Sequence, residues 1–466
     1  MDLGDGDIEM KNAMTNKDFY KAFMIMTVTV ALQNLIVYGV NLADSVMMGA
    51  YSETALSGAG ICNNIQYLLF MAVTGVTNGT TVIASRYWGM RNIDSVKKIS
   101  SVAMILGTGI SAIIFNLCCF MPEKLIYLFT DKESVANEAI KYLVIIKYTY
   151  IIFGITQILL AVLRSVETVK IGFYVSLSSF AINVLLNWIF IFGKLGCPEM
   201  GIRGAAYATL VSRLIEFAVV FIYTFFIDKK IKLSVFSVFK ADKEIFKEYI
   251  KTGSPLLASS VSWGLAMDIQ GAIIGRLVES AIAANSIATT LFQIASVITY
   301  AAGNAACVLI AKTIGEKSGL DVIKKRTKGL QWLFLVIGVI SSILLLAIKS
   351  FIIGFYDASP DTVKYTTQFS IVLMVTIIGT SYECPCLCGI VSGGGETDFV
   401  FKNDIIFMWL IVLPLSALSA FYFKWPVVVT FACLKSDQVL KCPVAYIKTQ
   451  SYNWVKKINK SEDESA

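Results

Sequence analysis

The sequence predicts an all-α polytopic membrane protein, with twelve transmembrane helices arranged as two parallel six-helix repeats. Three observations predict it. The chain is 56% hydrophobic and only 16% charged, against about 25% charged in ordinary soluble domains. Twelve apolar stretches are each about 20 residues or longer, enough to cross ~30 Å of hydrocarbon as a helix. None shows the period-two alternation of a membrane strand. Finally, residues of the first half recur in the second at a constant spacing of 226.

The stretches lie at 19–45, 54–83, 99–120, 141–163, 170–193, 204–227, 250–277, 282–311, 328–353, 364–391, 399–422 and 425–447. The last is the most polar, interrupted by Lys435, Ser436, Asp437 and Lys441. Put both ends and the even-numbered connections on one side. That side then holds 29 of the 40 Lys and Arg residues and the opposite connections hold 9. The basic side, with both termini, is expected in the cytoplasm of a cell-membrane protein. An odd span count would scramble this bias. The acidic start (Asp2, Asp5, Asp7, Glu9) followed directly by a full span speaks against a cleaved signal peptide.

The longest basic interruption, Asp228 to Lys251, separates two blocks of six spans. The expected organisation is a disordered tail at 1–17, a first lobe at 18–227 and a cytoplasmic connection at 228–249. A second lobe at 250–455 and a polar tail at 456–466 complete it. The blocks are related by sequence. Gly49 pairs with Gly275, Ala55 with Ala281, Asn78 with Asn304, Arg86 with Lys312 and Gly89 with Gly315. One inserted residue later, "DSVKK" at 94–98 matches "DVIKK" at 321–325. Six spans is an even number, so the second copy enters the membrane in the same direction as the first. Parallel repeats are a secondary-transporter arrangement.

Chemistry concentrates at the end of the first span. Asp44 is a carboxylate in or beside hydrocarbon, where burial costs a few kcal/mol or more and marks an ion or substrate pathway. Asn34, Tyr38, Asn41 and Asp44 recur at three- and four-residue spacing, on one helical face. The plainer reading is that Asp44 merely ends the helix at the water boundary. The repeat architecture favours the first.

Much chemistry is missing. There is no histidine, hence no His-based metal site or proton relay. Ten cysteines are scattered through apolar runs and form no disulfide framework. Gly315-Glu316-Lys317-Ser318 resembles the end of a phosphate loop but lacks the upstream glycine. The net charge of +7 is spread between spans and gives no nucleic-acid face. An enzyme is not expected, nor a cofactor beyond a coupling ion. The expected partners are small molecules and membrane lipid, bound by a monomer. Cys384-Pro385-Cys386, followed by Cys388, suits either a soft metal or a kinked helix with inert thiols. Glu383 beside it reads as a second-lobe coupling carboxylate or as the polar edge of that kink. Asp268, expected to be buried in the seventh span, falls two residues from Gln270, the repeat equivalent of Asp44.

The stretch from Asn183 to Arg213 carries the most specific signal. It holds Asn183 and Asn187, four residues apart, then "IFGKLGCPEMGIRGAAYAT" at 191–209. With "ADSVMMG" at 43–49, "RYWGMRNIDSVKK" at 86–98, "LRSVETVK" at 163–170 and "GGGETDF" at 393–399, the chain resembles the multidrug and toxic compound extrusion (MATE) transporters over about 18–457. The resemblance implies a two-lobed antiporter that exports organic, often cationic compounds in exchange for Na⁺ or H⁺. By motif it implies a first-lobe cation site of Asp44, Asn183, Asn187 and Thr209, with Na⁺ as the one metal ion concerned. Asn34 and Asn41 stand as further cavity residues, and Asp268 and Glu383 as second-lobe candidates. Three positions depart from the family. Asn187 stands where some members have Asp, Ser262-Trp263 where a seventh-span glutamate is expected, and Ser392 where an arginine is usual. Two alternatives are a lipid-linked precursor flippase of the wider superfamily and a soft-metal or thiol-related transporter. A flippase would need a more cationic cavity than Lys147 and Arg213 provide. A membrane sensor or enzyme lacks its catalytic groups here.

Overall fold

The computed structural model describes residues 14–234, 242–354 and 359–456. The others, including most of both expected tails, lie outside the described residues. Among those described the chain is helical throughout, with no strand. Among the described residues ten helices are long and apolar enough to cross a bilayer. They are Asn16–Tyr51, Glu53–Gly89, Ile93–Phe120, Tyr148–Ser165, Lys170–Phe192, Ile202–Ile227, Glu279–Gly315, Leu320–Gly354, Pro360–Val391 and Thr397–Tyr422. They are the expected spans one to six and eight to eleven, and they make this a multi-pass membrane protein.

The other two spans are helical but more polar. The seventh is the 33-residue helix Lys243–Gly275, about 50 Å long at 1.5 Å per residue. The twelfth is two helices, Val427–Leu434 and Asp437–Ser451, broken at Lys435 and Ser436. Two further spans are broken. The fourth span starts early, as Glu133–Ile146, and breaks at Lys147. In the tenth, Pro385 opens a wide π turn, Pro385–Val391. Its ring lacks an N–H, so the α ladder cannot continue there and the wider spacing relieves the mismatch.

Two compact units divide the described chain, and their boundaries fall inside helices. One unit contains 28–84 and 93–264, the other 14–27, 85–92 and 265–456. The first unit is built on close helix approaches. Gly58 lies where a Cβ would come 2.8 Å from the Ala139 nitrogen, and the Cys62 thiol donates to the Ala139 carbonyl at 3.3 Å. Leu69, Leu143, Ile146 and Tyr150 fill the core around that crossing. The start of the seventh span also packs here. Its Tyr249 hydroxyl donates to the Val76 carbonyl at 2.6 Å and lies 3.0 Å from the Thr80 hydroxyl.

The second unit centres on Ala281, Ala288, Leu345, Phe369, Leu373 and Phe431, with the Phe369 and Phe431 rings stacked at 3.9 Å. The start of the first span packs into it. Phe19 and Phe23 are fully buried, and the Arg326 guanidinium lies 4.6 Å from the centre of the Phe19 ring. Phe23 and Tyr249 are 226 residues apart, so the repeat places the two crossover segments in equivalent ways. The chain's end docks in this unit too. Trp454 is fully buried, and a Cβ on Gly394 would come 2.2 Å from its ring. The glycine-rich segment after the tenth span therefore leaves room for an indole.

Candidate ion and substrate site

The fifth span, Lys170–Phe192, carries Asn183 and Asn187 one turn apart on its buried face. Gly193 closes it in the left-handed conformation (φ 61°), its N–H donating to the Ile189 carbonyl. The chain then returns as the sixth span, Ile202–Ile227. Gly204 sits where a Cβ would come 2.6 Å from the Phe190 carbonyl, so only glycine lets the two helices approach this closely. That approach aligns Thr209 with Asn183.

The result is one hydrogen-bonded chain through three spans. The Asn187 amide donates to the Asp44 carboxylate and, at 3.1 Å, to the Asn183 side-chain oxygen. The Asn183 amide donates to the Thr209 hydroxyl at 3.4 Å. Asn183 and Asn187 are almost fully buried, and Asp44 and Thr209 half-buried. The Asn187 side-chain oxygen is buried without a hydrogen-bond partner among the described residues. A buried amide oxygen left so costs about 1–3 kcal/mol. One carboxylate with neutral oxygens is a donor set for a hard monovalent cation.

Asp44, Asn183 and Thr209 border a cavity of about 50 Å³, room for a few water molecules. Asn41 lines it; Asn34, two turns earlier, does not. Sequence reasoning missed Gln66, Tyr142 and Glu216, which also line it, and gave Arg213 no role there. Arg213 and Glu216 form an ion pair at 2.7 Å. A charged pair three residues apart within an apolar span was the signal for it.

In the other unit the carboxylate candidates separate. Asp268 is exposed, which corrects the expectation of burial; Gln270 is the buried residue. Two residues turn a helix by about 200°, so only one of the pair can face inward. Gln270 donates to the Met408 sulfur at 3.3 Å and accepts from the Lys435 ammonium at 3.2 Å. It therefore holds, in its own unit, the polar interior position that the repeat makes equivalent to Asp44. Glu383 is buried, with Lys441, Asp437 and Asp404 as its charged neighbours. Lys441 pairs with Asp404 at 2.8 Å and Asp437 at 3.7 Å. The three thiols occupy different environments: Cys386 is buried, Cys388 exposed and Cys384 between them.

Comparison with known proteins follows the same lines. A family model described as MatE matches residues 30–189 and again 255–418, two matches whose starts are 225 residues apart, close to the spacing of the repeat. An uncharacterized transporter of Bacillus subtilis, YisQ, is 24% identical over 424 residues, covering 89% of this chain and 90% of its own. A probable multidrug resistance protein NorM of Halalkalibacterium halodurans is 20% identical over 418 residues, covering 88% and 90%. Among solved structures, a multidrug resistance MATE family transporter in an outward-facing conformation superposes with a TM-score of 0.84. It is 16% identical and the match covers 97% of this chain and 98% of that one. A MOP superfamily transporter of Pyrococcus furiosus, reported with a binding pocket of reversed polarity, also gives 0.84 at 16% identity, covering 98% and 100%. The fold is thus the twelve-helix fold of these transporters. With the family model matched over most of its length, and matched twice, the chain belongs to the MatE family.

Proposed function

We propose that this protein is a secondary active antiporter that exports small organic, cationic or amphipathic compounds in exchange for Na⁺ or H⁺. The observation that carries the reading is the hydrogen-bonded Asp44–Asn187–Asn183–Thr209 chain, of which Asp44, Asn183 and Thr209 line a cavity. An ion bound at Asp44 cancels the one charge of that set, which lowers the cost of rearranging it in a low-dielectric surround. The multidrug resistance names of the NorM relatives support the substrate class. The flippase alternative needs a cationic cavity, whereas Asp44 and Glu216 outnumber Arg213 on this wall.

The test is efflux of a fluorescent cationic dye from loaded vesicles under an inward Na⁺ or H⁺ gradient. Acceleration by either gradient, and its loss when the gradient is collapsed, is the expected result. Dye release indifferent to both gradients contradicts the antiport reading.

Both termini are proposed to be cytoplasmic, in the cell membrane. In a cysteine-depleted background, single cysteines at Lys229 and Lys317 should be shielded from impermeant thiol reagents in whole cells and react after permeabilisation. Labelling of both from outside would invert the orientation.

The thiols of the tenth span are proposed to be structural. Replacing Cys384, Cys386 and Cys388 together by Ala should leave dye export within about twofold of wild type and copper and silver tolerance unchanged. A selective loss of tolerance to those metals would instead support the soft-metal reading.

A further inference from the structure

Sixteen residues line the cavity beside Asp44, and three of them are charged: Asp44, Arg213 and Glu216. Arg213 and Glu216 lie on the sixth span, one turn apart, with their charges 2.7 Å from each other and their side chains 19% and 5% exposed. They follow Thr209 by four and seven residues, so all three share the helical face that meets the cavity. The guanidinium also rests over the Phe153 ring, 5.5 Å from its centre. It is held between an aromatic face and a carboxylate, and it acts on Asp44 by charge across the same wall.

We propose that the Arg213–Glu216 pair fixes the charge of this wall at minus one, so that the site takes up one monovalent ion per transport cycle. The inference rests on the antiport reading above and adds the ion count to it. Arg213 cancels Glu216, which leaves Asp44 as the single uncompensated charge. Uncompensated charge inside a membrane protein is costly, and one Na⁺ or one proton removes it. A second ion would leave the wall positive. Without Arg213, two carboxylates would face the cavity and call for two ions. Without Glu216, Arg213 would be released to neutralise Asp44 itself and take the place of the ion. Arg213 and Glu216 are positioning residues in this scheme, because the ion sits at Asp44.

The test counts charges. Purified protein is reconstituted in liposomes, and ethidium, a permanent monocation, is exchanged against the coupling ion at membrane potentials clamped with potassium and valinomycin. One ion for one ethidium moves no net charge. The ethidium ratio at which flux reverses should therefore not depend on potential in the wild type. In Arg213→Gln two ions would exchange for one ethidium, and the reversal ratio should shift about tenfold for each 59 mV. Glu216→Gln should lose exchange although Asp44 is intact. The double variant Arg213→Gln/Glu216→Gln restores the charge of minus one and should recover exchange with a potential-independent reversal ratio.

That recovery separates charge counting from a purely structural role, which gives no reason for reversal to move in one single variant and return in the double. A monodisperse double variant that stays inactive overturns the proposal, as does an active Arg213→Gln protein whose reversal ratio ignores potential. Asp44→Asn serves as the control for the underlying reading. If it abolishes exchange while the Arg213 and Glu216 variants behave as wild type, the antiport assignment stands and the charge count fails. If Asp44→Asn itself exchanges normally, the antiport assignment at Asp44 fails.

Discussion

Asp44→Asn should reach the membrane in normal amount and lose ion-driven export by at least about a hundredfold. The substitution keeps the side-chain volume and a hydrogen-bonding group toward Asn187, whose amide meets the Asp44 carboxylate. It removes the one charge of the polar chain. Losing a charge from a partly buried polar site costs about 3 kcal/mol, and each 1.4 kcal/mol is tenfold in affinity. Asn187→Ala should weaken export by a smaller factor, about fivefold, because a neutral hydrogen bond is worth about 1 kcal/mol and the charge remains. The measurement is initial dye efflux at matched protein levels. An Asn187 variant more damaged than the Asp44 variant would mean that the polar chain matters for structure more than for ion exchange.

Lys441→Met should be the most destabilising single change in the second unit. The Lys441 side chain is 5% exposed, and its ammonium pairs with Asp404 at 2.8 Å and Asp437 at 3.7 Å, with Glu383 close by. Three carboxylates lie around this ammonium, and Lys435 is a second ammonium near Asp437. Removing one partner of a buried ion pair costs about 3–5 kcal/mol, since the remaining charge is left uncompensated. Pairing the change with Asp404→Asn removes one negative charge as well and should recover part of that loss. Thermal unfolding in detergent, followed by size-exclusion chromatography of heated samples, reads both variants. A Lys441→Met protein as stable as wild type would contradict the reading of this cluster as a buried ion-pair network.

Ten of the spans were legible because a hydrocarbon-crossing helix announces itself by length and composition, and the more polar seventh and twelfth because the repeat and the charge bias call for them. The repeat was legible because residues such as Gly89 and Gly315 recur in register. Asp44, Asn183, Asn187 and Thr209 could be named because local motifs mark their spans, and the structure brings these four together. What the sequence could not convey depends on which helix faces which. Asp268 and Gln270 differ by two residues and therefore by the whole width of a helix, and only packing decides which of them turns inward. Tyr142 and Gln66 reach the cavity from spans with no motif near them. The ion pairs of Lys441 join the eleventh and twelfth spans, with Glu383 nearby on the tenth, a meeting that no single stretch encodes. The crossover of the first and seventh spans was equally hidden, since Phe23 and Tyr249 look like any aromatic residues at the start of an apolar run.

The central claim is that ion exchange occurs at Asp44, and substrate-driven ion movement tests it most directly. Liposomes containing only the purified protein are loaded with ethidium and diluted into dye-free medium carrying ²²Na⁺ and an impermeant pH indicator, with no ion gradient imposed. Outward dye flow through the wild type should draw ²²Na⁺ or protons inward, above the level of protein-free liposomes. In Asp44→Asn that inward movement should fall to the protein-free level. Ion uptake of wild-type size in the folded Asp44→Asn protein would contradict the account.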